Sequence, residues 1–238
     1  MSYYGYGFRP YVSVAKQQTM TEKAIKAAKK KGIIYEPVIA EGRNFCSSWW
    51  SQAWCDNLEQ YSDYENRLPR GRSYLRNGLV IDLQISKGEI RAKVQGKTSK
   101  PYNIVVCIDP LKKEAVERIQ QRCEFGITSL DSLINGEFPR ELQDLFTSKE
   151  GLFPTPREIH FDCSCPDGAY LCKHIAAVMY GVAVRLDEKP LLFFELRGID
   201  PQSLVEKAIE NRLELMLKNK DRPSSRILQG DVSDLFGI

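Results

Sequence analysis

Two hydrophobic periods divide the chain. Leu79, Ile81, Leu83 and Ile85 alternate with Val80, Asp82 and Gln84, and Ser86-Lys87-Gly88 supplies a tight turn. Ile90, Ala92 and Val94 then alternate with Glu89, Arg91, Lys93 and Gln95, and after a loop from Gly96 to Pro101 the stretch Tyr102 to Ile108 reads as a third, more buried strand. Period-two alternation with short turns predicts an antiparallel meander with one wet face. Asp109-Pro110 predicts the start of a helix, with Asp as its cap, whose stripe is Leu111, Ala115, Ile119 and Cys123.

Helical spacing dominates elsewhere. Ser47 or Ser48 can cap a helix to about Tyr61 that carries Trp49, Trp50, Trp54 and Leu58. Tryptophans can stack on bases, but each buries a large apolar area, so these three are read as core. Upstream, Thr21 to Lys31 predicts a basic helix capped by Thr21 and ended by Gly32, with a thin apolar face of Ala24, Ile25 and Ala28. Ordered core is expected from Asn44 onward. Between Gly126 and Gly151 the helical signals are short and weak. A second unit then brings a strand near Arg157 to Cys163 and a helix from about His174 to Leu186. Asp200-Pro201 opens a last helix to about Leu217, with Val205, Ile209, Leu213 and Met216 on one side. A flexible tail follows from Asn219, in which Val232, Leu235 and Phe236 share one face of a possible helical turn and read as a small docking peptide. The fold class expected is α+β. Its parts are a basic arm (1–43), an α+β domain with the meander (44–150), a metal-stapled unit (151–198) and a C-terminal helix and tail (199–238).

Composition narrows the class. The 238 residues are 42% hydrophobic and 27% charged, which excludes global disorder and fibrous architectures. The longest mainly apolar run, Ile175 to Val184, is about half of what a membrane span needs. Met1 to Val14 has no apolar signal core, so a cytoplasmic protein without membrane partners is expected. Seven cysteines in that setting point to metal ligands or buried thiols rather than a disulfide framework.

Cys163, Cys165, Cys172 and His174 form C-x-C-x6-C-x-H. A structural zinc ion takes four such ligands in a tetrahedron, and two ligand pairs joined by a reversing loop can supply it. The loop contains Pro166-Asp167-Gly168, strong turn chemistry. In a regular strand Cys163 and Cys165 point to the same face. Cys172 and His174 fall where the apolar helix begins, and the helix dipole there favours a thiolate. One structural zinc ion is therefore expected. His160 is read as an exposed strand histidine, and four protein ligands leave no open position for a catalytic water.

This signature, followed by Ile-Ala-Ala-Val-Met-Tyr, resembles the SWIM zinc finger, a family named from Swi2/Snf2 ATPases and Mu-type transposases. Trp50-Ser-Gln-Ala-Trp54-Cys, the run Arg67 to Gly78, and Val94-Gln-Gly96 with Pro101-Tyr102 are similar to bacterial stand-alone SWIM proteins. The resemblance covers Arg9 to Asp200 and the Asp-Leu-Phe-Gly-Ile end, with Lys97 a departure where a small residue is expected. It implies a zinc-stapled module of strand, knuckle and helix that binds DNA or proteins. It also implies a Swi2/Snf2-type helicase as a partner, because bacterial members are often encoded beside one.

Charge is segregated. From Met1 to Lys31 seven basic residues stand against one acid, and from Asn66 to Lys100 nine stand against two. Such segregation suggests a polyanion-facing side, the alternative being solvated segments. Arg67, Arg70, Arg72 and Arg76 are read as a loop, kept open by Pro69 and Gly71. With Arg91, Lys93, Lys97, Lys100 and, from the finger, Lys173, they form an expected phosphate-tracking stripe. The alternative for the arginines is pairing with Glu114, Glu117 or Glu124. Gly96-Lys97-Thr98 is not a phosphate loop of the nucleotide-binding kind, because it joins strand to strand. Asp82 and Glu89 read as salt partners of neighbouring cations. No catalytic constellation appears. The sequence predicts a non-catalytic, zinc-dependent nucleic-acid-binding protein, DNA rather than RNA. The rival is a protein–protein adaptor that uses the finger or the tail.

Overall fold

The alternating segment folds as a hairpin and grows by two strands. In the computed structural model, which describes residues 11–126 (except 41 and 43), 143–200 (except 149) and scattered positions from 202 to 217, β1 (Val80–Ser86), β2 (Glu89–Val94), β3 (Tyr102–Ile108) and β4 (Ile159–Cys163) form one antiparallel sheet in the order β1-β2-β3-β4. Gly88 makes the first turn at φ 71°, a conformation that favours glycine. Ile90 pairs with Val106, and Ile104 with Cys163. The sheet therefore has four strands where the meander predicted three, and the segments 44–150 and 151–198 share it.

The single wet face is corrected at β1. Val80 and Asp82 are buried as well as Ile81 and Leu83. The cause is residues 33–40, which run along the edge of β1: the Val38 N–H donates to Val80 O (3.2 Å) and the Leu83 N–H to Glu36 O (2.9 Å). Among the described residues Asp82 forms no ion pair; its Oδ1 accepts the Glu36 N–H at 3.1 Å, and burial raises its pKa. Ordered core thus begins upstream of Asn44, since Val38 is fully buried.

Helix α1 (Val14–Lys30) starts about two turns before Thr21 because Ser13 caps it, accepting the Lys16 N–H at 3.3 Å. Helix α2 (Trp49–Glu59) is capped by Ser48, as expected. The arginine segment is not a loop but helix α3 (Arg67–Arg76). Pro69 sits in its first turn, where a missing N–H leaves no hydrogen bond unmade. Gly71 lies where α3 meets the helix that contains Ala176, and a Cβ there would stand 2.6 Å from Ala176 Cβ. Both residues that suggested a loop are compatible with this particular helix. Helix α4 (Lys113–Gly126) begins later than Asp109-Pro110 predicted. Asp109 is held against the sheet, its N–H donating to Glu158 O and its carbonyl accepting from Arg197. The first helical bonds instead go to Lys112 O. Short helix α5 spans Gln143–Thr147.

Helix α6 (Lys173–Glu188) organises the core. Twelve of its sixteen residues are buried. It packs on α3, α2 and β1, and the short helix α7 (Leu192–Leu196) also packs on β1. Trp54 is fully buried and donates its indole N–H to Met179 O at 3.0 Å. Trp49 and Trp50 are partly buried and edge-on to each other, so all three tryptophans pack with the core. At its far end Asp187 accepts the N–H groups of Ser47 (2.7 Å) and Ser48 (3.1 Å), fastening α6 to the start of α2.

Beyond Asp200 the described positions between 202 and 217 are helical, with Ile209 and Leu213 exposed. Val205 and Met216 of that stripe, and the docking peptide with Val232, Leu235 and Phe236, lie outside the described residues. Among the described residues no helix is long and apolar enough to cross a membrane.

Candidate functional site

Strand period places Cys163 on the inner face of β4 with Ile159 and Phe161, while His160 and Asp162 point outward. Cys165 follows two residues on. Cys172 is the N-cap of α6, and His174 lies in the first turn. The ligand atoms of Cys163, Cys165, Cys172 and His174 all lie within 4.8 Å of one another.

Their spacing fits a tetrahedral zinc ion. Bonds of about 2.3 Å to sulfur and about 2.0 Å to nitrogen require separations of about 3.8 Å between sulfurs and about 3.5 Å between sulfur and nitrogen. Cys165 Sγ is 3.6 Å from Cys172 Sγ, and Cys172 Sγ is 3.9 Å from His174 Nδ1. His174 is buried, and its Nε2 has no hydrogen-bond partner. The nitrogen that faces the thiols is Nδ1, which is therefore the one placed to bind a metal ion. Four protein ligands are thus positioned to bind one zinc ion.

Electrostatics fit the same ion. The Cys172 thiol is pulled down to about 4 by the hydrogen bond from the Cys163 thiol, by His174 and by the Ile175 N–H at the start of α6, against the opposing effect of burial. Cys163 is pushed up, first because it is the donor to Cys172 and then by burial. Cys165 is raised chiefly by burial, although the Asp167 N–H favours its thiolate. Three thiolates this close repel one another, and a bound cation would balance that charge.

The knuckle is held from outside. Asp63, in the α2–α3 connection, accepts the N–H groups of Tyr170 (2.7 Å) and Leu171 (3.2 Å). Arg67 binds Asp167 at 3.0 Å, and the Tyr170 hydroxyl donates to Ile159 O at 2.8 Å. Around the imidazole stand two rings, Tyr102 at 4.6 Å and Tyr74 at 5.2 Å between centroids. Gly96 lies under the Tyr102 ring, where a Cβ would be 2.2 Å from Cε2. Tyr74, Tyr102 and Asp63 were not among the residues singled out from sequence. Tyr74 and Tyr102 sit inside the stretches that carried the family resemblance, whereas a lone aspartate gives no signal.

The expected cationic stripe divides. Arg67 holds the knuckle. Arg72 pairs with Glu59 and lies over the Tyr180 ring. Arg91 pairs with Glu89 at 2.9 Å. Lys93 donates to Asn103 Oδ1 at 2.8 Å. None of these pairs is with Glu114 or Glu117. Arg76 is exposed at the end of α3. Arg70, Lys97 and Lys100 are exposed and Lys173 is half-buried, and among the described residues none of the four forms an ion pair. Arg70 acts electrostatically on Tyr74, Lys173 separates two zinc ligands, and Lys97 follows Gly96 beneath Tyr102. Arg70 thus acts on a ring that touches His174, while Lys97 and Lys173 are chain neighbours of residues at the site. Helix α1 joins that side: Gln17 donates to the Tyr74 hydroxyl (3.4 Å) and Gln18 to Asn77 O (3.3 Å). His160 is exposed on the outer face of β4, 3.6 Å from Asp109, and takes no part in the metal set.

Residues 160–180 match the family model of the SWIM zinc finger. An uncharacterized protein of Mycobacterium tuberculosis, Rv2102, is 36% identical over 186 residues, which cover 77% of this chain and 63% of that protein. The chain spans less than two thirds of that relative's length. No solved structure matches. The chain carries a SWIM zinc finger, and its four ligands are the residues that the site geometry brings together.

Proposed function

We propose that the SWIM zinc finger of this chain serves a non-catalytic, cytoplasmic, nucleic-acid-binding protein, with DNA as the ligand. The observation that supports this reading is a set of cations that form no ion pair among the described residues, Arg70, Lys97, Lys100 and Lys173, of which Lys173 stands between two zinc ligands. Six exposed lysines of α1 and its C-cap (Lys16, Lys23, Lys26, Lys29, Lys30 and Lys31) extend that surface. Cations that pair internally have already spent their charge on the fold. Unpaired ones at a rigid rim are free to neutralise phosphates. Zinc acts by holding that rim in place.

Fluorescence anisotropy of the zinc-loaded protein with labelled duplex and single-stranded DNA tests this. Four neutralised phosphates give a log–log salt slope of about −3.6 on duplex, so affinity falls roughly 100-fold between about 50 and about 200 mM salt. Arg70→Ala with Lys97→Ala lowers affinity and flattens the slope by about 2. Arg72→Ala, whose partner is Glu59, leaves the slope unchanged. No binding at low salt, or binding indifferent to salt, overturns the reading and favours a protein adaptor. Service to a Swi2/Snf2-type helicase rests on the family resemblance. It predicts that adding this protein raises the DNA-stimulated ATPase rate of such a helicase from the same cell.

A further inference from the structure

Two cysteines outside the zinc set stand together. Cys46 precedes α2 and is half-buried, and Cys55 lies in α2 and is almost fully buried. Their sulfurs are 3.2 Å apart and both are free thiols. This is closer than ordinary contact between side-chain atoms. Among the described residues no further histidine, cysteine or carboxylate completes a metal set with them, because the one such cluster is the zinc site. Two thiols without further ligands make a poor zinc site but a good dithiol.

We propose that Cys46 and Cys55 form a reversible intramolecular disulfide, an oxidation site separate from the zinc centre. Cys46 is the attacking thiol because it is the more accessible. Its ionisation is favoured first by the hydrogen bond from Cys55 and also by the Ser51 hydroxyl, while that same hydrogen bond, and then burial, hold the proton on Cys55. With a peroxide as oxidant, the Cys46 thiolate attacks one peroxide oxygen and the O–O bond breaks. Hydroxide leaves, and Cys46 becomes a sulfenic acid. Cys55 sulfur then attacks Cys46 sulfur, the S–O bond breaks, and the Cys55 proton leaves with hydroxide as water. Overall two thiols and one hydrogen peroxide give one disulfide and two waters. A disulfide needs the sulfurs about 2.05 Å apart, so the pair must close by only about 1.2 Å. Rotation of the half-exposed Cys46 side chain is the simplest route.

The bond would tie the segment before α2 to the helix body. Next to Cys46, Ser47 and Ser48 grip Asp187 at the end of α6. Oxidation therefore locks the strap that joins α2 to the zinc-bearing helix. The three zinc-ligand cysteines are committed to the metal, and Cys107, exposed on β3, provides a solitary-thiol control.

The test uses the full zinc-loaded chain and a stoichiometric dose of hydrogen peroxide. Remaining thiols are alkylated and the digest is read by mass spectrometry, with zinc release followed by a colorimetric chelator. Both cysteines fall in one tryptic peptide, Asn44 to Arg67. That peptide should lose two hydrogens and resist alkylation before zinc is released, and thiol reductant should restore it. Cys55→Ser should instead leave Cys46 as a sulfenic acid that a dione probe traps, while Cys46→Ser should leave Cys55 reduced. The inference is overturned if zinc leaves first while the Asn44 to Arg67 peptide remains fully alkylatable. It is equally overturned if Cys46 is oxidised no faster than Cys107 and no link forms.

Discussion

The contact between α3 and α6 can be tested with one methyl group. Gly71→Ala would place a Cβ 2.6 Å from Ala176 Cβ and 3.0 Å from both Ala176 C and Ala177 N. Carbon atoms prefer separations of about 3.5–4.0 Å, so the helices must part by roughly 1 Å. Two of the three obstructing atoms belong to the backbone of a buried helix and cannot rotate away. Overpacking of this kind costs about 1–3 kcal/mol, and obstruction by backbone puts Gly71 at or above the top of that range. Alanine recovers about 1 kcal/mol of helix propensity. The net expectation is a loss of about 2 kcal/mol, which at about 2–4 °C per kcal/mol lowers the melting temperature by roughly 4–8 °C. Tyr74, three residues on, is carried away from His174, so a competing chelator should remove zinc faster. The assay is thermal unfolding of the zinc-loaded protein with chelator-driven metal release beside it, and Arg70→Ala on the exposed side of α3 as control. A Gly71→Ala protein as stable as the parent would refute the close-crossing argument, because propensity alone would then decide the outcome.

Cys172→Ser removes the ligand that anchors the thiolate charge at the start of α6. Structural zinc contributes on the order of 10 kcal/mol to small modules, comparable to the whole stability of an ordinary domain. The variant should purify without zinc and show no cooperative thermal transition; one equivalent of retained zinc with an unchanged transition would contradict the assignment. Asp187 is held below the usual carboxylate range: burial opposes its ionisation, but the Ser48, Ser51 and Ser47 groups donating to it more than compensate. A depressed carboxylate adds stability above its unfolded pKa of about 3.9 and loses it as pH falls through the lower folded value. Asp187→Asn should therefore cost about 1–2 kcal/mol at pH 7, after discounting for partial exposure. The gap from the parent protein should narrow below about pH 4. Urea denaturation at both pH values checks this, and a gap that widens in acid would assign the stabilisation elsewhere.

Elements with a strong period were legible in the sequence. The β1–β2 hairpin, the α2 cap at Ser48 and the apolar run of α6 follow from local pattern, and the metal ligands from spacing. What escaped depends on contacts across the chain. Pro69 and Gly71 are loop signals locally, yet in α3 one sits in the first turn and the other at a helix crossing. Arg67 and Arg72 looked like ligands for phosphate because their partners Asp167 and Glu59 lie 100 and 13 residues away. Residues 33–40 are mostly apolar, but nothing local in that run shows that Val38 is buried while Ile34 and Ile39 are exposed. Arg197 gave no signal at all, yet it is buried and paired to Glu158 at 2.8 Å.

Helix α6 also sets the order of events during synthesis. Its partners α2, α3 and β1 all precede it in the chain, by up to more than a hundred residues. While the ribosome is still translating up to residue 172, Trp54, Leu58, Leu75 and Leu83 have no helix to cover them. Local hairpins can form early, but the core cannot close until α6 emerges, bringing the last two zinc ligands with it. That apolar surface thus stays uncovered until α6 is made, and metal capture coincides with the step that ends the exposure.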